Sequence, residues 1–398
     1  MTAWSAAAKR GVEDLVDGVR EGRLRSLVIL RHRKFGASEA VALAAAMRAS
    51  SSSLTELRCS GHDLSVEGAR ALGEAIASSS SMRILDAGSA TLGNEGAAAL
   101  APCARALTTL ELEAKGIGDE GLKAVARELG ASQRLKELNV ARNCFGDDGL
   151  RALVAAATKS ESLEIVDASD NGRVESGVAD FVASGIKELR CQSLRQGAFD
   201  VVVAARAVGT SKLERLDVSA CELSTREIAV LAPAVMKIKE LRIAHNSVTD
   251  VGAGAIADAL KTEKARLDVL DVSSNEISGR GLAALVASHA VVHLFAHNNS
   301  IGDDGASRVA SAILSAEPPD RVPLETLGLA ASDLGDRGAE AGFFVFFSKG
   351  VALAPVVEIG GNKAIGDVGI AALRRACDRR PGLEIAQEVA AAAAAMGN

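Results

Sequence analysis

Residues Leu135 to Ala157 read LKELNVARNCFGDDGLRALVAAA. Leu138 and Val140 alternate with Glu137 and Asn139, the pattern of a strand with one buried side. Asn143 follows, then the turn Gly146-Asp147-Asp148-Gly149, then an alanine-rich run with Leu150 and Leu153 at helical spacing. The phrase returns at Leu107 (LTTLELEAKGIGDEGLKAVAREL), Leu267 (LDVLDVSSNEISGRGLAALVAS) and Leu324 (LETLGLAASDLGDRGAEAG). One strand plus one helix cannot bury its own apolar side, whereas stacked copies form a continuous core. The period of roughly 28 residues therefore predicts an α/β solenoid and overrides a length-based guess of several domains.

About thirteen repeats start near Leu24, Leu54, Met82, Leu107, Leu135, Leu163, Ile186, Leu213, Ile238, Leu267, Val291, Leu324 and Ala354, filling 24–380. The registers at Leu24, Leu163 and Ile186 are irregular. Residues 1–23 read as a capping helix, with Trp4, Val12, Leu15, Val16 and Val19 at helical spacing over the first repeat. Residues 381–398 read as a C-terminal cap, a short strand around Leu383–Ile385 followed by an alanine-rich helix. The Pro318-Pro319-Asp320 stretch reads as a lengthened loop inside a repeat.

Asn143, Asn171, Asn246, Asn275, Asn299 and Asn362 stand where each chain leaves its strand, and a side-chain amide there can satisfy turn backbone groups. His62, Ala90, Lys115, Leu194, Cys221 and Ser332 replace it in other repeats. The Asp of each glycine turn is expected to cap the helix that follows it.

These residues resemble the ribonuclease-inhibitor-like class of leucine-rich repeats, over nearly the whole chain. The class includes ribonuclease inhibitor, Ran GTPase-activating proteins and the sensing domains of NOD-like receptors. The resemblance implies a horseshoe with parallel strands on the concave face and helices on the convex face. It is specific for fold and weak for function, because members inhibit, activate or sense.

Composition narrows the function. With one Trp, nine Phe and no Tyr, the chain lacks the aromatic faces of a single-stranded nucleic-acid platform. A net charge of −6 argues against general phosphate binding, so no nucleic-acid partner is expected. No apolar run reaches ~18 residues, and the acidic N-terminal stretch with Glu13, Asp14 and Asp17 lacks a secretory core. A cytoplasmic or nuclear address without membrane contact is expected. The six cysteines form no CxxC pair and read as reduced, largely buried thiols.

Several motifs resemble catalytic or ligand sites and read better as repeat chemistry. Gly116-Ile117-Gly118-Asp119-Glu120-Gly121 fits GxGxxG but is the repeat's own turn. Asp119-Glu120, Asp147-Asp148 and Asp303-Asp304 lack the alternating ligands and distal Glu of a calcium loop. His289, His293 and His297 are four apart, but the register puts His293 and His297 on a strand, roughly 13 Å from each other and too far to share one zinc. No GxSxG, HExxH or Cys–His arrangement is present. No cofactor, metal or catalytic residue is expected.

The outward strand positions carry the functional reading. Arg58, Asp86, Glu111, Asn139, Asp167, Arg190, Asp217, Arg242, Asp271, Phe295, Gly328 and Glu358 lie between the two inward aliphatics. One outward position earlier come Glu56, Glu137, Glu188 and Glu240 against Arg215, so ten acids face four bases. An acidic concave face would steer a basic protein partner. The predicted contacts are His293, Phe295 and His297, with Asp217 and Asp271, on the concave side. On the convex side they are Phe344 and Phe347 from AGFFVFFSKG. The expected function is a non-enzymatic interaction scaffold or recognition subunit of a larger assembly. The alternatives are a GTPase activator of the Ran-activator type, for which Arg142-Asn143 resembles that family's Arg-Asn phrase, and a NOD-like sensor or inhibitor domain.

Overall fold

The computed structural model describes residues 11–49, 52–195, 197–261, 265–314, 324–340, 356–379 and 384–386. They form two compact units, Met1–Asp200 with Thr210–Leu213, and Val201–Gly209 with Glu214–Asn398.

The first unit holds strands β1 (Ser26–Val28), β2 (Glu56–Ser60), β3 (Ile84–Gly88), β4 (Thr109–Glu111), β5 (Glu137–Asn139), β6 (Ile165–Asp167) and β7 (Glu188–Arg190). They pair in parallel, in chain order. The register aligns Leu27, Leu57, Leu85, Leu110, Leu138, Val166 and Leu189 across the sheet, all buried. Each such side chain contributes roughly 1.5–3 kcal/mol on burial, and a one-residue slip would turn it outward. The helix α1 (Glu13–Arg20) precedes β1, and helices return each strand to the next: α2 (Ala37–Met47), α3 (Ser65–Ala77), α4 (Gly93–Leu100), α5 (Asp119–Leu129) and α6 (Asp147–Lys159). After β6 a 3-10 turn, Val178–Ala183, stands in for the helix, which is the physical form of the irregular register at Leu163 and Ile186.

The second unit repeats the plan with β8 (Arg215–Asp217), β9 (Glu240–Arg242), β10 (Leu267–Asp271), β11 (Val291–Phe295), β12 (Thr326–Gly328), β13 (Val356–Glu358) and β14 (Glu384–Ala386). Leu216, Leu241, Leu270, Leu294, Leu327 and Val357 are in register and buried. Its helices are α7 (Val201–Val208), α8 (Thr225–Val235), α9 (Asp250–Leu260), α10 (Gly279–Val286), α11 (Gly302–Leu314) and α12 (Asp367–Arg379). The α/β solenoid class holds in both units.

At α1, Val12 just before the helix, Val16 and Val19 are buried and Leu15 is half-buried, while Trp4 lies outside the described residues. The strand read near Leu383–Ile385 is β14, and the alanine-rich helix read after it lies outside the described residues. Among the described residues no helix is long and apolar enough to cross a membrane.

The turn acids act differently from the sequence expectation. Asp119 makes no cap to its own helix. Its Oδ1 accepts the amides of Gly146 and Gly149, both at 2.8 Å, at the start of the next repeat's helix. Asp250 does the same for Ser278 and Gly281 (2.7 and 3.1 Å), and Asp336 for Gly366 and Gly369 (2.7 and 2.8 Å). Asn94 serves Gly118 and Gly121 in the same way, at 2.7 and 3.1 Å. Each side chain thus caps its neighbour, because stacking brings it against the next helix's open amides. The second glycine of each turn is required by this approach: a Cβ at Gly149 would stand 2.8 Å from Asp119 Oδ1.

Candidate partner-binding strand face

The outward face is held from beneath by the asparagine column. Asn246 Oδ1 accepts the amides of Cys221 and Leu223 in the preceding repeat, while its Nδ2 donates to Val218, Ile243 and Ala244 carbonyls. Asn143, Asn275, Asn299 and Asn362 bridge in the same manner. Each amide satisfies buried turn groups of two repeats at once. The substitutes improvise. His62 Nε2 meets Ile29 O at 3.1 Å, and Ser332 Oγ donates to Ala296 O at 3.3 Å. Lys115 is buried and extends its Nζ to Ser60 Oγ (2.6 Å) and Asp86 Oδ1 (3.2 Å).

The residue before each ladder position takes a left-handed backbone, with φ of 55° at Ala114, 57° at Arg142, 54° at Ala220, 54° at His245 and 53° at Ser274. That bend turns the chain off the strand. It also ends the outward column at the Asx position. Asn139, Asp167, Asp217 and Asp271 each accept the amide two residues on, at 2.9 to 3.0 Å. These acids are therefore partly turn chemistry. Asp217 is only 9% exposed, so it presents little surface, and Asp271 presents more.

The charge on the face is paired more closely than a simple count suggests. In the first unit Glu56 meets Arg58 Nε at 2.6 Å, Glu188 meets the Arg190 guanidinium, and Asp86 meets Lys115. Glu111 stands apart: burial pushes its carboxyl above the ordinary range, and the nearby Glu137 and Asp86 add to the rise. In the second unit Arg215 Nε meets Glu240 at 2.9 Å, and Arg242 lies 3.8 Å from Glu240 and 4.0 Å from Asp271.

Further along the second unit the pattern changes. His293 and Phe295 occupy outward positions of β11, and His297 follows two residues later, all half-buried. The rings of Phe295 and His297 lie 5.8 Å apart, tilted by 33°. Phe295 pairs with Gly328 across the sheet, and Gly328 with Glu358. The missing side chain at Gly328 lets the His297 ring lie over β12, where a Cβ would collide with it. His297 Nδ1 accepts the Ala330 amide at 3.1 Å, so Nε2 carries the proton and donates to Glu358 Oε2 at 2.9 Å. His293 Nδ1 lies 2.9 Å from Thr326 Oγ1, and its Nε2 lies 4.0 Å from Glu325. The sequence reading singled out His293, Phe295 and His297 but missed Thr326, which the strand parity of LETLGL places outward, and Glu325, which stands just ahead of β12.

Of the other predicted residues, Phe344 and Phe347 lie outside the described residues. Asn143 is buried and its side chain is committed to the ladder, while Arg142 is exposed and 3.5 Å from Glu113. The GxGxxG amides of Gly118 and Gly121 are occupied by Asn94. No group of three acids, histidines or cysteines suited to a metal occurs among the described residues.

A family profile described as Leucine Rich repeat matches residues 131–154, 236–257 and 267–286. The human NACHT, LRR and PYD domains-containing protein 5 is 33% identical over 92 residues, 22% of this chain and 7% of that protein. The rat NLR family member X1 is 21% identical over 130 residues, 31% of this chain and 13% of that protein. The matches thus span a small part of either relative. The crystal structure of the yeast Rad7 and Elc1 complex contains a chain similar in fold, with a TM-score of 0.51 at 14% identity, over 94% of this chain and 82% of that one. The repeat phrase, the asparagine column, the parallel strands with returning helices and these likenesses agree on a leucine-rich-repeat solenoid fold, with the family profile matched in three of its repeats.

Proposed function

We propose that the chain is a non-enzymatic recognition scaffold, or the recognition subunit of an assembly, that holds a protein partner on its strand face. The observation that carries this reading is the half-exposed Phe295 at an outward strand position, flanked by His293 and His297. Aromatic side chains at such positions commonly anchor interfaces. Each outward side chain stands on a strand whose exit is tied by the ladder, so little ordering remains to be done on binding. A cytosolic or nuclear address goes with this reading, supported by the free thiols of Cys59, Cys103 and Cys144. Burial pushes the Cys59 thiol up to about 12, the behaviour of an inert core residue.

The test is photo-crosslinking in the native cells. Benzoylphenylalanine placed at Val269, which pairs with His293, is expected to give discrete protein adducts that Phe295→Ala abolishes. The same probe at Arg151, exposed on α6, serves as the control. Adducts that arise equally from Arg151, or that survive Phe295→Ala, reject the strand face as the contact surface.

A further inference from the structure

The strand face of the second unit changes character between β9 and β10. At β8 and β9 its acids have arginines in register, Arg215 with Glu240 and Arg242 with Glu240 and Asp271. From β10 to β13 the outward strand positions, among them Asp271, His293, Phe295, Gly328 and Glu358, include no Lys or Arg, and Glu325 stands just ahead of β12. Glu325 has His293 Nε2 at 4.0 Å, outside hydrogen-bonding range, and its side chain is 50% exposed. Glu358 Oε2 accepts from His297 Nε2 at 2.9 Å. Phe295 lies in the middle of this stretch, between Asp271 on one neighbouring strand and Gly328 on the other.

We propose that this platform seats an arginine side chain of the partner, with the guanidinium over the Phe295 ring and its N–H groups directed to Glu358 and Glu325. The inference rests on the strand-face reading above and names the chemistry of its occupant. Three features favour a guanidinium. The ring's face attracts a cation, and its flat surface suits a planar one. The bare backbone at Gly328 gives its space to the His297 ring, which extends the aromatic surface beside Phe295 on which a flat group can lie. Among the described residues Glu325 and Glu358 have histidines beside them and not the arginines that Glu240 and Asp271 have in cis, so a partner supplies one in trans.

The experiment uses the full-length protein carrying ¹³C-labelled Phe and His rings, titrated with N-acetyl-arginine amide and with its neutral isostere N-acetyl-citrulline amide. Phe295 and His297 signals are identified by their loss in Phe295→Leu and His297→Gln. The arginine probe is expected to move both signals along a saturating curve with Kd of about 1–10 mM, and the citrulline probe to leave them in place. Glu358→Gln and Glu325→Gln are expected to weaken binding about threefold each. Phe295→Leu, read on His297, is expected to weaken it about fivefold. Equal shifts from citrulline, or arginine shifts that spare Phe295 and His297, overturn the proposal. The crosslinking test separates the two ideas. Adducts at Val269 without arginine binding reject the guanidinium and keep the scaffold, and arginine binding without adducts does the reverse.

Discussion

At the scale of single residues, the bend before each ladder position imposes a cost that glycine can remove. Ala114 and Ala220 adopt φ of 55° and 54°, a region costing an L-residue roughly 1 kcal/mol. Gly61 and Gly361 fill the equivalent place elsewhere. Ala220→Gly is therefore expected to stabilise the protein by up to about 1 kcal/mol, less what glycine gains in unfolded freedom; a lowered urea midpoint would contradict this. Glu111 gives a second test. Its folded pKa is raised, chiefly by burial, so its charged form costs stability above that pKa, and the cost is relieved as pH falls through it. Glu111→Gln should raise Tm at pH 7, and the gain should fade as pH falls toward about 4, the ordinary glutamate value. A gain that persisted at low pH would point to packing instead. Neither feature was legible in the sequence. Ala, Arg, His and Ser at the bend carry no left-handed signal, and the surroundings of Glu111 depend on three adjacent strands.

At the scale of elements, strand parity was legible because one side of each strand is aliphatic without exception in the register rows. The direction of capping was not. A glycine turn with Asp before a helix reads as a local cap, and only stacking shows that Asp119 reaches the helix starting at Asp147. The consequence is that the acid couples repeats. Asp119→Ala leaves the Gly146 and Gly149 amides without their acceptor and is expected to cost about 1–2 kcal/mol. Asp119→Asn keeps an oxygen at the same place and should recover most of it. Hydrogen exchange locates the effect: faster exchange at Gly146 and Gly149, in α6, supports capping of the neighbour. Faster exchange confined to the first turn of α5 would restore the local reading. Asp147 belongs to the same series, its carboxyl held low mainly by the Glu175 amide of the following repeat.

At the scale of the whole molecule, the sequence indicates an excess of acid on the outward positions but not where it is left uncompensated. The net charge of −6 is a property of the chain, whereas recognition depends on the local balance. The arginines of β8 and β9 lie near Glu240 and Asp271, whereas the outward positions of β11 to β13 carry none. A basic partner should therefore bind in a salt-dependent way that is set by few residues. Between about 10 and 150 mM salt the screening length drops from roughly 30 to 8 Å. Affinity for the partner recovered by crosslinking is expected to fall severalfold over that range in the native protein. With Glu325→Gln and Glu358→Gln combined, affinity at low salt should be weaker and the slope against salt shallower. With Glu56→Gln in the first unit, whose carboxylate already meets Arg58 at 2.6 Å, the slope should stay as it was. An affinity indifferent to salt, or a slope equally sensitive to Glu56, would show that the stretch of β11 to β13 does not direct recognition.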